Sequence, residues 1–270
     1  MNVLRISDLE RHIGNGCTRP LISTAENGKK VVVKLNNNMQ GNLALVNEYI
    51  GYMLSEKLQL PVADSGVCVV DEKTTIHPEI NKEEDLFSDE NYGLGFYSTY
   101  IEKSTVISSS GMIKKAHNYE WLIPRLLLFD HLIYNVDRNK GNLLLITNKE
   151  NKRIILIDNS HAFKLGTIWD SYQFKRGIDE DDYRDTTIME CNEYLYKMLM
   201  KSMKLTVFHF HESVKYFREN LTEADIENIV ESVPSQWGVD EQELASLKEY
   251  LIYRLKNLDA YVEVILNYIY

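Results

Sequence analysis

The chain has 270 residues, 44% of them hydrophobic and 26% charged, which suits a globular protein with core enough for one large domain or two lobes about a cleft. Its formal net charge of −10 argues against a strongly electrostatic nucleic-acid binder and against docking on anionic lipid. No apolar run approaches the roughly 18 residues that span a bilayer, and the first residues lack the apolar core of a signal peptide, so a cytoplasmic location is expected.

Residues 1–101 read as strand-rich with one helix. A glycine-bearing segment comes first, Gly14-Asn-Gly16-Cys-Thr-Arg-Pro20, where backbone N–H groups can approach phosphates closely. Leu21–Thr24 and the β-branched run Lys29-Lys-Val-Val-Val-Lys34-Leu read as paired strands joined by the turn signal Glu26-Asn27-Gly28. Asn42–Leu58 repeats apolar residues at helical period, with Glu48 in its second turn. Gly66–Val70 and Gly95–Ile101 read as further extended segments. Cys17, Cys68 and Cys191 lie far apart without a CxxC pair and read as free thiols.

From about residue 118 the pattern is helical. Trp121–Tyr134 is apolar on most of its circumference and reads as a buried helix, with Pro124 acceptable in its first turn. The acidic run Asp179–Asp182 reads as a solvated loop. His209, His211 and Glu212 lack zinc-site spacing. Asp240 with Glu243 opens one long amphipathic helix that runs to residue 269.

The strongest signal lies between Asp130 and Phe163. The polar loop Asn135-Val-Asp137-Arg138-Asn139-Lys-Gly-Asn142 leads into Leu143–Ile146, and a polar turn separates this from Ile154–Ile157. An antiparallel hairpin would bring Asn142, before its first strand, beside Asp158, after its second. An amide oxygen and a carboxylate converging there suit magnesium, which keeps several waters and shares nucleotide phosphates. Asp137, five residues earlier, is placed to deprotonate an attacking hydroxyl. D-x-x-x-x-N, a short hairpin and a second Asp make the arrangement of protein-kinase sites, in which a strand lysine paired with a helix glutamate is also required. Lys34 and Glu48 meet that requirement in order, and Arg138 reads as a structural partner for a nearby acid.

At these segments, together with V-N-E-Y (46–49), G-F-Y-S-T-Y (95–100) and I-D-N-S-H-A-F (157–163), the sequence resembles the HipA-like kinases and, more distantly, the phosphatidylinositol kinases. The resemblance runs from about residue 12 to 165 in the family's order. It implies an α+β, two-lobed, protein-kinase-like fold, with a strand-rich lobe at 1–101 and a mainly helical lobe at 102–270. It also implies magnesium-dependent transfer from ATP, most simply to Ser or Thr of a protein. Lys34 would contact ATP phosphates, with Glu48, Gly14 and Gly16 about them, and Asp137 would be the base. Asn142 and Asp158 would hold magnesium, and Ser98, Thr99, Tyr100 and Ile101 would form the hinge that reads adenine. Asn139 departs from the family, which often has histidine there.

Expected partners are ATP, a protein substrate and a regulatory partner protein, with no nucleic acid and no membrane. Two alternatives stand beside the protein kinase: a small-molecule or lipid kinase using the same loop, and an inactive nucleotide- or partner-binding module. The acidic net charge weighs against a lipid substrate, and retention of Lys34, Asp137, Asn142 and Asp158 weighs against inactivity.

Overall fold

Val31 and Val33 have no exposed surface while Val32 is partly exposed, the alternation of a strand with one face on a core. Around that strand the computed structural model, which describes residues 3–14, 16–80, 86–148 and 151–269, builds a six-stranded sheet. Its members are β1 (Leu4–His12), β2 (Leu21–Ala25), β3 (Lys30–Lys34), β4 (Ser65–Val70), β5 (Thr75–Ile76) and β6 (Gly93–Thr99). They run in the order β2-β3-β6-β4-β1-β5, and an added β1–β2 pairing brings the order back on itself. The turn at 26–28 does close a hairpin, with Leu21 opposite Val33 and Thr24 opposite Lys30.

β1 carries no clear strand signal in the sequence. Register shifts between Ile6 and Asp8 and between Leu9 and Arg11 interrupt the side-chain alternation by which a strand is read. A second sheet of three strands, β7 (Ser104–Val106), β8 (Leu143–Ile146) and β9 (Ile154–Leu156), contains the expected hairpin. Residues 149 and 150, within its turn, lie outside the described residues.

One helix, α1 (Leu43–Lys57), interrupts the first sheet between β3 and β4. The rest follow β7: α2 (Ser110–Ile113), α3 (Tyr119–Leu132), α4 (Ser171–Asp179), α5 (Thr187–Cys191) and α6 (Glu193–Met200). The last four are α7 (Val207–Asn220), α8 (Glu223–Glu231), α9 (Glu241–Lys256) and α10 (Leu258–Ile269). No helix of the described residues is long and apolar enough to cross a membrane. The buried side chains form two clusters. The smaller includes Leu9, Leu21, Val31 and Val33 of the first sheet. The larger joins Leu45, Val46 and Ile50 of α1 to the helices that follow and also takes in Val67 of β4 and Phe96 of β6, so α1 packs with the helical part of the chain while still touching the first sheet.

Two helices differ from expectation. α3 starts two residues early because Asn118 pairs both ways with the Ile154 backbone of β9, at 3.0 and 2.9 Å. Pro124 therefore lies inside the helix, beyond its first turn. The long C-terminal helix is two, broken at Asn257. There the Asn257 amide donates to Tyr253 O at 2.9 Å, and the Arg254 carbonyl accepts from the Tyr261 hydroxyl at 3.0 Å, which interrupts the helical ladder. Three cysteines are free, Cys68 buried and the other two exposed.

Candidate active site

Lys34 is the last residue of β3, beside the helix that carries Glu48. Its ammonium bonds to the Glu48 carboxylate and to Asp158 Oδ1, the latter at 2.9 Å. Lys34 and Glu48 are 8% and 4% exposed, whereas the Asp158 side chain keeps 35% of its surface, so the cluster opens at Asp158. Burial alone would discharge Lys34, but Asp158 and then Glu48 outweigh it and hold the ammonium above its usual range. Burial pushes Glu48 up to about 7 against the pull of Lys34. At Asp158 burial also acts upward, yet Lys34, a hydrogen bond with Glu48 and Ser160 hold the carboxyl well below the usual range.

Asp158 reaches this position through a left-handed backbone, φ 62°, which Asp tolerates better than most non-glycine residues. Ser160 donates to its Oδ1 from both Oγ, at 2.6 Å, and the backbone N–H, at 3.2 Å. Glu48 Oε2 accepts from Asn159 N at 3.0 Å. α1 comes this close because residue 51 is glycine; a Cβ there would lie 2.7 Å from the Asn159 Cβ.

The hairpin register sets Asn142 at the same end. Leu143 faces Leu156, Ile157 N donates to Asn142 O at 3.0 Å, and Asn142 Nδ2 reaches the Asp137 and Asp158 carbonyls at 3.5 and 3.4 Å. Among the described residues the Asn142 side-chain oxygen accepts no hydrogen bond. Asp137 is half-exposed, with His161 Nδ1 at 3.7 Å. Burial raises its carboxyl, and His161 opposes that rise. Asn139, where the family often has histidine, accepts from Gly141 N at 2.8 Å and donates to Asp137 O at 3.0 Å. It thus shapes the loop.

Arg138, 1% exposed, holds the loop from beneath. Its Nε meets Asp130 Oδ1 at 3.0 Å, Nη1 meets the carbonyls of Ile157 and Asp158, and Nη2 meets Asn159 Oδ1 at 2.9 Å. Asn192, just before α6, accepts from Arg138 N at 2.8 Å and donates to Asn135 O at 2.7 Å. Tyr196 completes the Asp130 shell at 3.0 Å.

Gly14 and Gly16 lie in the loop of the β1–β2 hairpin with φ of 87° and 105°, and Asn15 between them lies outside the described residues. Because Leu21 faces Val33, this loop shares the sheet edge at which Lys34 ends β3. Ser98 and Thr99 close β6, and Tyr100 and Ile101 lead from the first sheet toward β7. The Thr99 and Tyr100 N–H groups are engaged by Asp64 O, at 2.8 Å, and Lys30 O, at 3.0 Å.

Other parts gave little warning. Asp182 is no solvated-loop residue: it is 5% exposed and accepts from Arg254, Tyr250 and Lys164. Burial of an acid inside an acidic run has no local signature, because its partner lies 72 residues away. His209 belongs to a helix start, its Nδ1 near Thr206 N and Oγ1.

A strand-rich part carrying the lysine and a helical part carrying the loop and the second aspartate define a kinase-like fold. A kinase from Helicobacter pylori described as the proinflammatory kinase CtkA is similar, with TM-score 0.61 at 12% identity over 98% of this chain and 99% of that chain. The Golgi casein kinase with Mn and ADP bound gives 0.57 at 13% over 98% and 74%. Hydra Fam20 with sugar gives 0.57 at 12% over 98% and 86%. No curated protein sequence matches the chain significantly. The profile of the HipA-like kinase family matches residues 6–262, and the chain belongs to that family.

Proposed function

We propose that the chain is an ATP- and magnesium-dependent protein serine/threonine kinase, cytoplasmic, with 1–101 as its nucleotide-phosphate lobe and 102–270 as its catalytic lobe. The observation that carries this is the Lys34 ammonium, which meets Glu48 of α1 and Asp158 of the hairpin at one point. In this reading Lys34, oriented by Glu48, contacts the nucleotide phosphates. Gly14 and Gly16 lie over those phosphates, and Ser98 to Ile101 face adenine through backbone groups. Family membership, and a casein kinase of this fold with Mn and ADP bound, support nucleotide, divalent metal and protein acceptor.

The donor set suits magnesium. Asn142 offers an amide oxygen that accepts no hydrogen bond among the described residues, and Asp158 a partly exposed carboxylate. Both are hard oxygen ligands, too few for an all-protein cage and so in keeping with a metal shared with phosphates. Two carboxyl groups, of Glu48 and Asp158, meet one ammonium, so added positive charge is welcome there. Magnesium would neutralise charge on the phosphate oxygens. Asp137 takes the proton of the acceptor hydroxyl as the new O–P bond forms and the bond to the ADP oxygen breaks. Its raised pKa makes it a better proton acceptor than an ordinary carboxylate.

A thermal-shift titration with ATP and magnesium tests the reading. The wild type should be stabilised, Asp158→Ala should lose most of that shift, and Asp137→Asn should keep it while losing about 10³-fold in phosphoryl transfer. A wild type with no magnesium-dependent shift sinks the proposal. Binding with transfer to no protein, itself included, would favour a small-molecule acceptor or an inactive binding module.

A further inference from the structure

Asn47 precedes Glu48 on α1 and has no exposed surface. Its side-chain nitrogen is directed at three main-chain carbonyls, Ser160 O at 2.7 Å, Gly166 O at 2.9 Å and Ala162 O at 3.1 Å. Its oxygen accepts the Trp169 indole N–H at 2.8 Å. An amide has two N–H groups, so the three carbonyls share them in a bifurcated arrangement.

These partners all lie just after Asp158. Between Asp158 and α4 the chain forms no strand and only one short turn of helix, Gly166–Ile168, and Phe163 and Leu165 take left-handed backbone with φ of 67° and 71°. Its own N–H groups satisfy only some of its carbonyls, those of Asn159, Phe163 and Leu165, and the buried others need donors from elsewhere. Asn47 supplies them from inside a helix. Glu48 adds the bond to Asn159 N, and Gly51 lets the helix approach, so one face of α1 grips residues 159–169. Ser160 links the grip to the site. Its carbonyl is held by Asn47, while its Oγ and N–H hold Asp158 Oδ1.

We propose that Asn47 is a positioning residue for Asp158. It docks residues 160–169 on α1, so that Lys34, Glu48 and Asp158 stand assembled before nucleotide arrives. Kinases whose activation loops are ordered by phosphorylation gain that order from new arginine–phosphate pairs. Here a buried neutral amide provides the order, and neither a kinase nor a phosphatase can reach it. The inference rests on Asp158 as metal ligand, the reading proposed above.

The experiment has two readouts, one of them free of ligand. Amide hydrogen exchange on the protein without nucleotide should show 158–169 protected in the wild type. In Asn47→Ala it should show those amides exchanging at least about tenfold faster relative to those of α7 to α10. Calorimetry with magnesium and ADP should show affinity weakened about 10–100-fold, the usual effect of removing a residue that orients a metal ligand. Should Asn47→Ala fail to fold, Trp169→Phe keeps the amide donors, removes the indole N–H together with part of the ring, and should move both readouts the same way by less. Variants that melt earlier, yet keep local protection and magnesium–ADP affinity, would overturn the proposal and leave Asn47 a packing residue. A wild type that binds no magnesium–ADP overturns the metal reading instead, and with it the role assigned toward Asp158.

Discussion

Two buried cations of this kinase are treated in opposite ways. Arg254, with no exposed surface, meets Asp182 Oδ1 at 2.7 Å and the carbonyls of His131 and Leu132, and the rings of Tyr134, Tyr250 and Tyr261 centre within 5.4 Å of its guanidinium. Asp182 in turn accepts from Tyr250 at 2.6 Å and from Lys164 at 3.3 Å. That cluster is closed and nearly saturated. Lys34 instead faces two carboxyl groups, one of them open to solvent. A charge enclosed by matched partners serves the fold. A charge left with surplus acid at an open edge is prepared for something that binds.

The largest effect expected from this contrast is on stability. Arg254→Met should cost about 3–5 kcal/mol in urea unfolding, because it strands Asp182 without its guanidinium partner, while the folded fraction keeps its magnesium–ATP shift. Lys34→Met should reverse the pattern. Phosphoryl transfer should fall about 10²-fold or more, the scale for losing a group that stabilises charge in the transition state. Unfolding should change far less than for Arg254→Met, since Glu48, already pushed up to about 7, can take a proton when the ammonium is gone. Equal losses of stability in the two variants would erase the distinction.

The smallest expected effect lies at one unsatisfied atom of the Arg254 cluster. His131 lies beside Arg254, and its buried Nε2 has no partner among the described residues. Burial lowers its pKa from 6.5 to about 3, so the folded chain stays neutral there while the unfolded chain takes a proton. Stability should therefore fall as pH drops from 6.5 toward 3, by at most about 1.4 kcal/mol per pH unit from this group. Urea melts of His131→Leu across that window should lose this one-proton slope. An unchanged slope would mean that the imidazole is not kept neutral by the fold.

What could be read in the sequence shares a feature: its signal is local. Lys34 ends a β-branched run, Glu48 sits in a periodic helix, and Asn142 and Asp158 flank two apolar runs of hairpin length. β1 was hidden because its bulges break the alternation, and the division at Asn257 because the apolar period continues across it. Asn47, Asp130, Asp182 and Arg254 were hidden for another reason. Each is a polar residue whose burial depends on partners far away in the chain, such as Ser160 for Asn47, 113 residues on.

The sequence by itself determined the order of parts: a glycine loop, a lysine strand, a glutamate helix, a polar loop with Asp137, and a hairpin that returns Asp158 beside Asn142. Hydrophobic period and turn chemistry act over a few residues, and a few residues suffice to write them. Only the tertiary structure decided that Lys34, Glu48 and Asp158 touch, that α1 packs with the helical core, and that a neutral amide beside Glu48 holds the segment after Asp158. Those outcomes depend on satisfying buried charges and carbonyls across the fold, a condition that no single stretch of chain can express.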